Sequence, residues 1–402
     1  MNTDNKEAVM PHNPAKAVII DALRTPRGRG NAKGALAGVK PVDLLAAPLA
    51  ALKARHGLTG PLAEAAFGCV TQTAGQGANI GKLALIAAGY DDAVPGLTVN
   101  RFCASGLSAL RIAALAAVAE DGLAIGGGVE SMSQVPMATD KGALTHDRDF
   151  QASAGLIPIG IAADAVATQE GFTRAELDAY AAESQARAAG ARFGALVPVA
   201  GLEADETPRP GTTAERLAAM EPAFAEMGEK WGIDAMLAKR LGLPGIEHGH
   251  HAGNSPAMAD GASVVLVGSA AAAARAGLKP RARILATAEV SVDRVMALTG
   301  AVDASRAALE KCGLSAKDID LFEVNESFAG LMLHYLRHMG IGAERLNVNG
   351  GAIALGHAMG STGTALLGTA LDALEARGAR RALVSACGAA GLASAIVIER
   401  VA

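Results

Sequence analysis

Two textures of apolar and polar positions alternate along the chain. In "KAVIIDALRTP" the apolar residues are consecutive, as in a strand covered on both faces, and a turn follows at Pro26. "VDLLAAPLAALKARHG" instead spaces them at helical intervals and stops at Gly57. The alternation continues: "EAAFGCVTQ" predicts a strand, "GKLALIAAGY" a helix and "GLTVNRFC" a third strand. A helix from Ser105 to about Asp121 follows, then "GLAIGGGVESM" as a strand running into a glycine-rich turn. Strands alternating with helices indicate βαβ units layered around a sheet.

From Ser131 to about His251 the pattern changes. Charge pairs, Pro/Gly breaks and the single Trp gather here, and "TRAELDAYAAESQARAAGA" opens with Thr173 and Glu176 in capping-box spacing before running on as an exposed helix. Strand–helix texture resumes at "GASVVLVGSAAAAARAG" and continues through "RARILATAEV", "DIDLFEVNES" and "RALVSACGAAGLASAIVIER". The expected organisation is an α/β protein of two layered βαβ halves with a helical insertion in the first. One half spans residues 15–130 and is completed by about 252–278; 131–251 is the insertion and 279–402 the second half. Ser105-Gly106-Leu107-Ser108-Ala109-Leu110 is echoed by Thr362-Gly363-Thr364-Ala365-Leu366, a faint sign of duplication.

Composition narrows this picture. The chain is 50% hydrophobic but only 3% aromatic, so its core must be built from aliphatic side chains and close glycine contacts. A net charge of -4 offers no basic stripe for nucleic acid. The polar head "MNTDNKEAVMPHNPAK" has no apolar run of signal-peptide length, and no long uncharged apolar stretch outside Ala/Gly-interrupted helices suggests a membrane span. Cys69, Cys103, Cys312 and Cys387 are widely spaced with no CxxC pair, which suits a reduced, cytoplasmic setting.

Four segments carry chemistry. Cys103 lies between a strand and a helix start, where backbone N–H groups and the helix dipole are expected to favour thiolate over thiol and to hold a developing oxyanion. At an ordinary pKa of about 8.5 a thiol is only ~3% ionised at neutral pH. His357 sits among Gly350, Gly351, Gly356 and Gly360, placed to take a proton from a thiol or donate to a thioester oxygen. Cys387 ends a strand and suits proton transfer at carbon, and Asn325 follows a strand where its amide can orient a water or support an oxyanion. Cys69 and Cys312 are read as core residues, and Arg24, Arg27 and Arg29 as a solvated loop. His248, His250 and His251 lack a second ligand cluster, so no metal is assigned.

"DALRTPRGRG", "VNRFCASGLSA", "GGVESMSQVPM", "HAGNS", "VNESFA", "NVNGGAIALGHAMGSTG" and "CGAAG", in this order, resemble the thiolase family from Lys16 to Val401. The resemblance implies a thiolase-like α-β-α-β-α fold with a loop-domain insertion. It implies that Cys103 carries the acyl group, His357 activates that thiol, Asn325 positions a water and Cys387 exchanges the α-carbon proton. The Cys103 and Ala389 N–H groups would form an oxyanion hole, with Ser255, Gly356 and Gly388 as substrate contacts. CoA and acyl-CoA thioesters are then substrates rather than cofactors, and the chain assembles as a homodimer or homotetramer through N-terminal halves.

Several positions depart from the family pattern. Ala358 stands where proline is common, Ala389 and Ala390 replace glycines, Pro158-Ile159 replaces His-Met, Pro256 replaces a serine and Glu221 stands where a basic residue suits CoA phosphates. "AEMGEKWGIDAMLAKRLGLPG" is an added stretch. These changes favour a 3-ketoacyl chain larger than acetoacetyl, cleaved by CoA. Acetoacetyl-CoA synthesis on the same residues, and a non-catalytic acyl-CoA-binding protein, are the other readings. A condensing enzyme of fatty-acid synthesis would need a second active-site histidine that the chain does not present.

Overall fold

The computed structural model describes residues 16–401. The polar head through residue 15, expected to hold no secretory signal, lies outside the described residues. The strands are β1 (Ala17–Arg24), β2 (Gly28–Arg29), β3 (Glu64–Gly68), β4 (Gly96–Val99), β5 (Leu123–Ser131), β6 (Ala259–Ser269), β7 (Ala282–Ser291), β8 (Leu321–Val324), β9 (Arg381–Cys387) and β10 (Leu392–Arg400). They run in the order β4-β3-β5-β6-β1-β7-β10-β9-β8, with β2 beside β6.

The sheet is two half-sheets joined by a thin seam. β1 meets β7 only at Val18–Arg283 and Ile19–Ala282. On one side of it β3 is parallel to β4 and β5, and β6 is antiparallel to both β5 and β1. On the other, β8 is parallel to β9 and bridges in parallel from Phe322 to Leu346, and β10 is antiparallel to both β9 and β7. The second half therefore repeats the topology of the first, which gives the faint sequence echo a structural basis.

The helices that position the site are α1 (Pro41–His56), α2 (Ile80–Ala87), α3 (Ser105–Ala119), α4 (Ile159–Glu170), α5 (Arg174–Gly190), α6 (Gly300–Lys311), α7 (Ala329–Met339) and α8 (Met359–Arg377). Equivalent helices α3 and α8 pair in the central layer, where Leu107, Leu110, Ala113, Leu366, Leu367 and Ala370 form one core with Val265, Val384 and Ile396. α1 and α2 cover the outer face of the first half-sheet, and α6 and α7 that of the second. This is the expected α-β-α-β-α layering. A helix between two sheets has little solvent face, so α3 and α8 are mostly apolar or small, with Arg111 on α3 and Asp372, Glu375 and Arg377 toward the end of α8 as the charged exceptions. Phe102–Ala119 and Arg148–Glu170 are long and apolar enough to cross a membrane by length and composition. The first is the covered central helix, and the second is interrupted between Ala154 and Ile159.

Between β5 and β6 the chain is largely helical. The Thr173–Glu176 capping box is formed, with the Thr173 N–H donating to Glu176 Oε2 at 2.8 Å. The expectation of an exposed helix is corrected, because α5 buries Leu177, Asp178, Ala181, Ser184, Gln185 and Ala188. Its inward polar groups are matched: Arg174 and His251 hold Asp178, and Ser184 Oγ donates to Glu326 at 2.8 Å. Polar residues facing a polar interior mimic a surface pattern in sequence.

Candidate active site

Cys103 and His357 stand at the same end of the paired central helices. Ahead of α3 the Arg101 N–H donates to Ser105 Oγ at 2.7 Å, and that hydroxyl donates to the Phe102 carbonyl at 2.6 Å. This tight turn holds Phe102 at φ 49°, a left-handed conformation costing roughly 1–2 kcal/mol for a non-glycine residue. Cys103 follows it, half-buried. At the start of α8 the Gly360 carbonyl is pressed against Gly68, Gly106 and Gly128, where any Cβ would collide with its oxygen. That contact locks α8 onto the beginning of α3 and requires Gly360 itself, whose own Cβ would lie 2.5 Å from the Gly68 carbonyl.

Cys387 ends β9. A Cβ on the following Gly388 would lie 3.0 Å from Phe102 Cβ and 3.4 Å from Cys103 N, so the turn after Cys387 packs directly on the cysteine loop. Ala390 in this turn adopts φ 56°, which the family's usual glycine takes without strain. Asn325 follows β8, with its N–H donating to Ser385 O at 3.0 Å. Its side-chain amide donates to Ser327 Oγ at 3.2 Å, and Ser327 Oγ lies 3.1 Å from Cys387 Sγ. With its oxygen accepting from Asn325, Ser327 has its proton free for the sulfur. Ser327 was not singled out in the sequence; its spacing of two from Asn325 after a strand was the available signal.

Burial governs the titration of this centre. It pushes the Cys103 thiol up to about 12, with Cys387 and Glu130 adding to the rise, so the expected helix-start thiolate does not form at rest. Desolvation of the anion outweighs the helix terminus. Burial likewise pushes Cys387 up to about 11, against the opposing hydrogen bond from Ser327. His357 is held down to about 3 by burial and by the Arg27 charge, and is therefore neutral. The Thr362 hydroxyl donates to Ala358 O at 3.1 Å and lies 2.8 Å from His357 Nδ1, so it accepts the Nδ1 proton. Nε2 is left as a bare base, buried with no partner among the described residues.

Asn325 Oδ1, Ser255 Oγ and Thr207 Oγ1 are buried and unpartnered in the same way. The backbone gathers them. His357 N donates to Ala257 O at 2.8 Å, Ala329 N to Asn254 O at 3.1 Å, and Gly356 packs on Thr207 and Ala259. Buried polar atoms without protein partners are costly unless a ligand or water meets them. Thr207 gave no sequence signal.

The arginine reading is corrected. Arg24 is buried with its guanidinium 2.7 Å from Asp205, and the buried Arg27 accompanies it through a 2.8 Å bond from its N–H to the same carboxylate. Only Arg29 behaves as a surface residue. Burial holds Glu323 well above the usual carboxylate range, with Glu326 reinforcing the rise and Arg27 opposing it. Cys69 is buried as expected, whereas Cys312 is half-buried.

The histidines of "EHGHH" are anchors. His250 Nδ1 lies 2.7 Å from Asp164, and its Nε2 accepts from Gly330 N at 3.1 Å, tying α4 to the start of α7. His251 holds Asp178 at 2.8 Å. His248 lies between Asp164 at 2.7 Å and Asp234 at 3.0 Å, and chiefly through Asp164 its pKa is raised to about 9. A raised histidine stabilises the fold fully below its unfolded pKa of about 6.5 and stops doing so as pH rises through about 9. The melting temperature is therefore expected to fall between these values, by the equivalent of at most about 3 kcal/mol. His248→Gln should remove that fall while starting less stable at pH 6, which calorimetry across the range will show.

A cleft of about 530 Å³ opens beside the Cys387 turn, with Ala390, Gly155, Val292, Val295, Arg240 and Arg294 in its walls. The added stretch supplies Arg240. It folds as helices Ala225–Lys230 and Ile233–Leu241, with Leu237 buried against Ile161 and Ala165 of α4. Glu221 is exposed.

The sequence matches the thiolase N-terminal domain over residues 17–231 and the thiolase C-terminal domain over residues 278–400. It is 38% identical to the 3-ketoacyl-CoA thiolase FadA of Escherichia coli strain K12 over 413 residues, covering 96% of this chain and 100% of the relative. The 3-ketoacyl-CoA thiolase of Escherichia fergusonii matches with the same identity and coverage. That of Citrobacter koseri is 37% identical, over 96% of this chain and 99% of its own length. With matched domains at both ends and near-complete coverage of its relatives, the chain belongs to the thiolase family.

Proposed function

We propose that the chain is a 3-ketoacyl-CoA thiolase. The observation that carries this reading is the packing of Gly388 on the Phe102–Cys103 turn, which brings two thiols with different surroundings to one place. Cys103 gives its proton to His357 Nε2, and its sulfur attacks the 3-keto carbon. The bond between C2 and C3 breaks, the shortened acyl group stays on Cys103, and Cys387 protonates the departing acetyl-CoA carbanion. In the second half CoA attacks the acyl carbonyl and its thiol proton restores Cys387. The His357 proton returns to the Cys103 sulfur as it leaves. The Cys103 and Ala389 N–H groups serve the acyl-enzyme oxyanion. His357 and a water held by Asn325 serve the thioester oxygen, and Ser255, Gly356 and Gly388 line the bound thioester.

Both thiols rest protonated, and cleavage needs an acid at Cys387 at once. The departures at Pro158-Ile159, Pro256 and Glu221 support a chain longer than acetoacetyl. The reading carries with it the partition into 15–130 with 252–278, 131–251 and 279–402. It also includes a cytoplasmic setting, which keeps the four free cysteines reduced. Assembly into a homodimer or homotetramer is supported by Leu83 and Ile86, which are exposed on α2 beside the edge strand β4.

The test is intact-protein mass after mixing with 3-ketoacyl-CoAs of graded length without free CoA. Each productive chain should add a two-carbon-shortened acyl group to Cys103 and release one acetyl-CoA. Tight acyl-CoA binding with no adduct at any length would reject catalysis. Ser327→Ala tests the relay to Cys387. Loss of one hydrogen bond to a developing thiolate should lower kcat for cleavage about tenfold and move the Cys387 limb of the pH profile upward. Ser327→Thr should restore both, and acylation of Cys103 by a simple acyl-CoA should stay unchanged.

A further inference from the structure

We propose that Glu170, His334 and His338 form a site for one divalent transition-metal ion of the zinc, cobalt or nickel class. The sequence reading weighed only the 248–251 histidines for metal and assigned none; this cluster lies elsewhere. His334 and His338 stand one turn apart on α7, with ring centroids 4.1 Å apart. Glu170, the last residue of α4, brings Oε1 to 2.9 Å from His334 Nδ1 and 2.7 Å from His338 Nε2. The three ligand atoms all lie within 4.8 Å of one another, the one such group of metal-competent side chains among the described residues.

Two imidazole nitrogens and a carboxylate oxygen select zinc-like ions over magnesium or calcium. Tetrahedral ligation with bonds of about 2.0–2.1 Å needs ligand atoms about 3.3 Å apart. The two oxygen–nitrogen separations need open only by about half an ångström to meet that geometry, and the two nitrogens already lie within 4.8 Å of each other. The carboxylate is already oriented, since Arg337 donates to Oε2 at 2.8 Å and to the Glu170 carbonyl at 2.7 Å and stacks 4.2 Å over Phe172. Such outer partners hold a ligating carboxylate in place. His338 is 38% exposed, which leaves a path for the ion and room for water as the remaining ligand. Occupied, the site clamps α4 to the far end of α7, as the Asp164–His250–Gly330 link does at its beginning.

The test is titration of chelator-stripped protein with Co²⁺ and Zn²⁺. One ion per chain is expected, giving visible Co²⁺ bands without the near-ultraviolet charge transfer that thiolate ligands produce. Affinity should fall by more than about 100-fold in His338→Ala and Glu170→Gln, while thiolysis by His338→Ala is unchanged. Thiolate charge transfer, binding that survives His338→Ala, or no bound ion at all would each overturn the proposal.

Discussion

Cys103→Ser is expected to fold normally and to lose turnover by about 10⁴-fold or more. The substitution exchanges one small polar atom for another at a half-buried turn, so the Arg101–Ser105–Phe102 bonds that shape it survive. The chemistry does not. A serine hydroxyl is far less acidic than a thiol, and the base available here is weak. His357 is neutral down to about pH 3, and its Nδ1 proton goes to the Thr362 hydroxyl rather than to a carboxylate. Among the described residues no carboxylate is hydrogen-bonded to the ring to stabilise the imidazolium that serine catalysis requires. A thiol tolerates this arrangement because its sulfur accepts charge more readily, and because a cysteine thioester passes its acyl group to CoA with little change in free energy. The measurement is acyl adduct by intact mass, beside acetyl-CoA release and a thermal melt to verify folding. Normal turnover in Cys103→Ser would remove the acyl-enzyme and the mechanism with it.

How far this site was legible in the sequence depends on the range of the contact involved. Local signals were readable: the strand-to-helix placement of Cys103, the stop of α1 at Gly57 and the Thr173–Glu176 cap all depend on residues within a turn. The duplication was faint because only the helix starts retain similar residues, while the equivalence of β3, β5, β6 and β1 with β8, β9, β10 and β7 lies in pairing. Long-range partners were not readable. Arg24 passes for a solvated loop residue until Asp205 is found beside it. Asp178 and Gln185 pass for surface positions until the interior proves polar. The Cys103 titration was misjudged for a related reason: a helix start is visible in sequence, but the burial that outweighs it, and the nearby Cys387 and Glu130 that add to it, are not.

Cys387→Ala is expected to separate the two halves of the reaction. Transfer of an acetyl group from acetyl-CoA to Cys103 needs the nucleophile, His357 and the oxyanion donors, and should continue slowly in this variant. Exchange of the α-protons of acetyl-CoA with solvent deuterium needs a group that removes and returns a proton at carbon. It should fall by about 10²–10⁴-fold, the usual worth of a positioned acid or base. Cleavage of 3-ketoacyl-CoA should fall with it, because the departing carbanion has no acid to meet. The wild-type thiol is suited to that step: held up to about 11 by burial, it is protonated at neutral pH, while the Ser327 hydroxyl stands 3.1 Å away to donate a hydrogen bond to the thiolate when the proton leaves. Alanine removes the proton but leaves the β9–β10 register and the Gly388 contact with the Cys103 loop, so loss of exchange cannot be ascribed to a displaced nucleophile. Exchange that persists at the wild-type rate would assign the proton to another group, with the bare Nε2 of His357 as the first to examine.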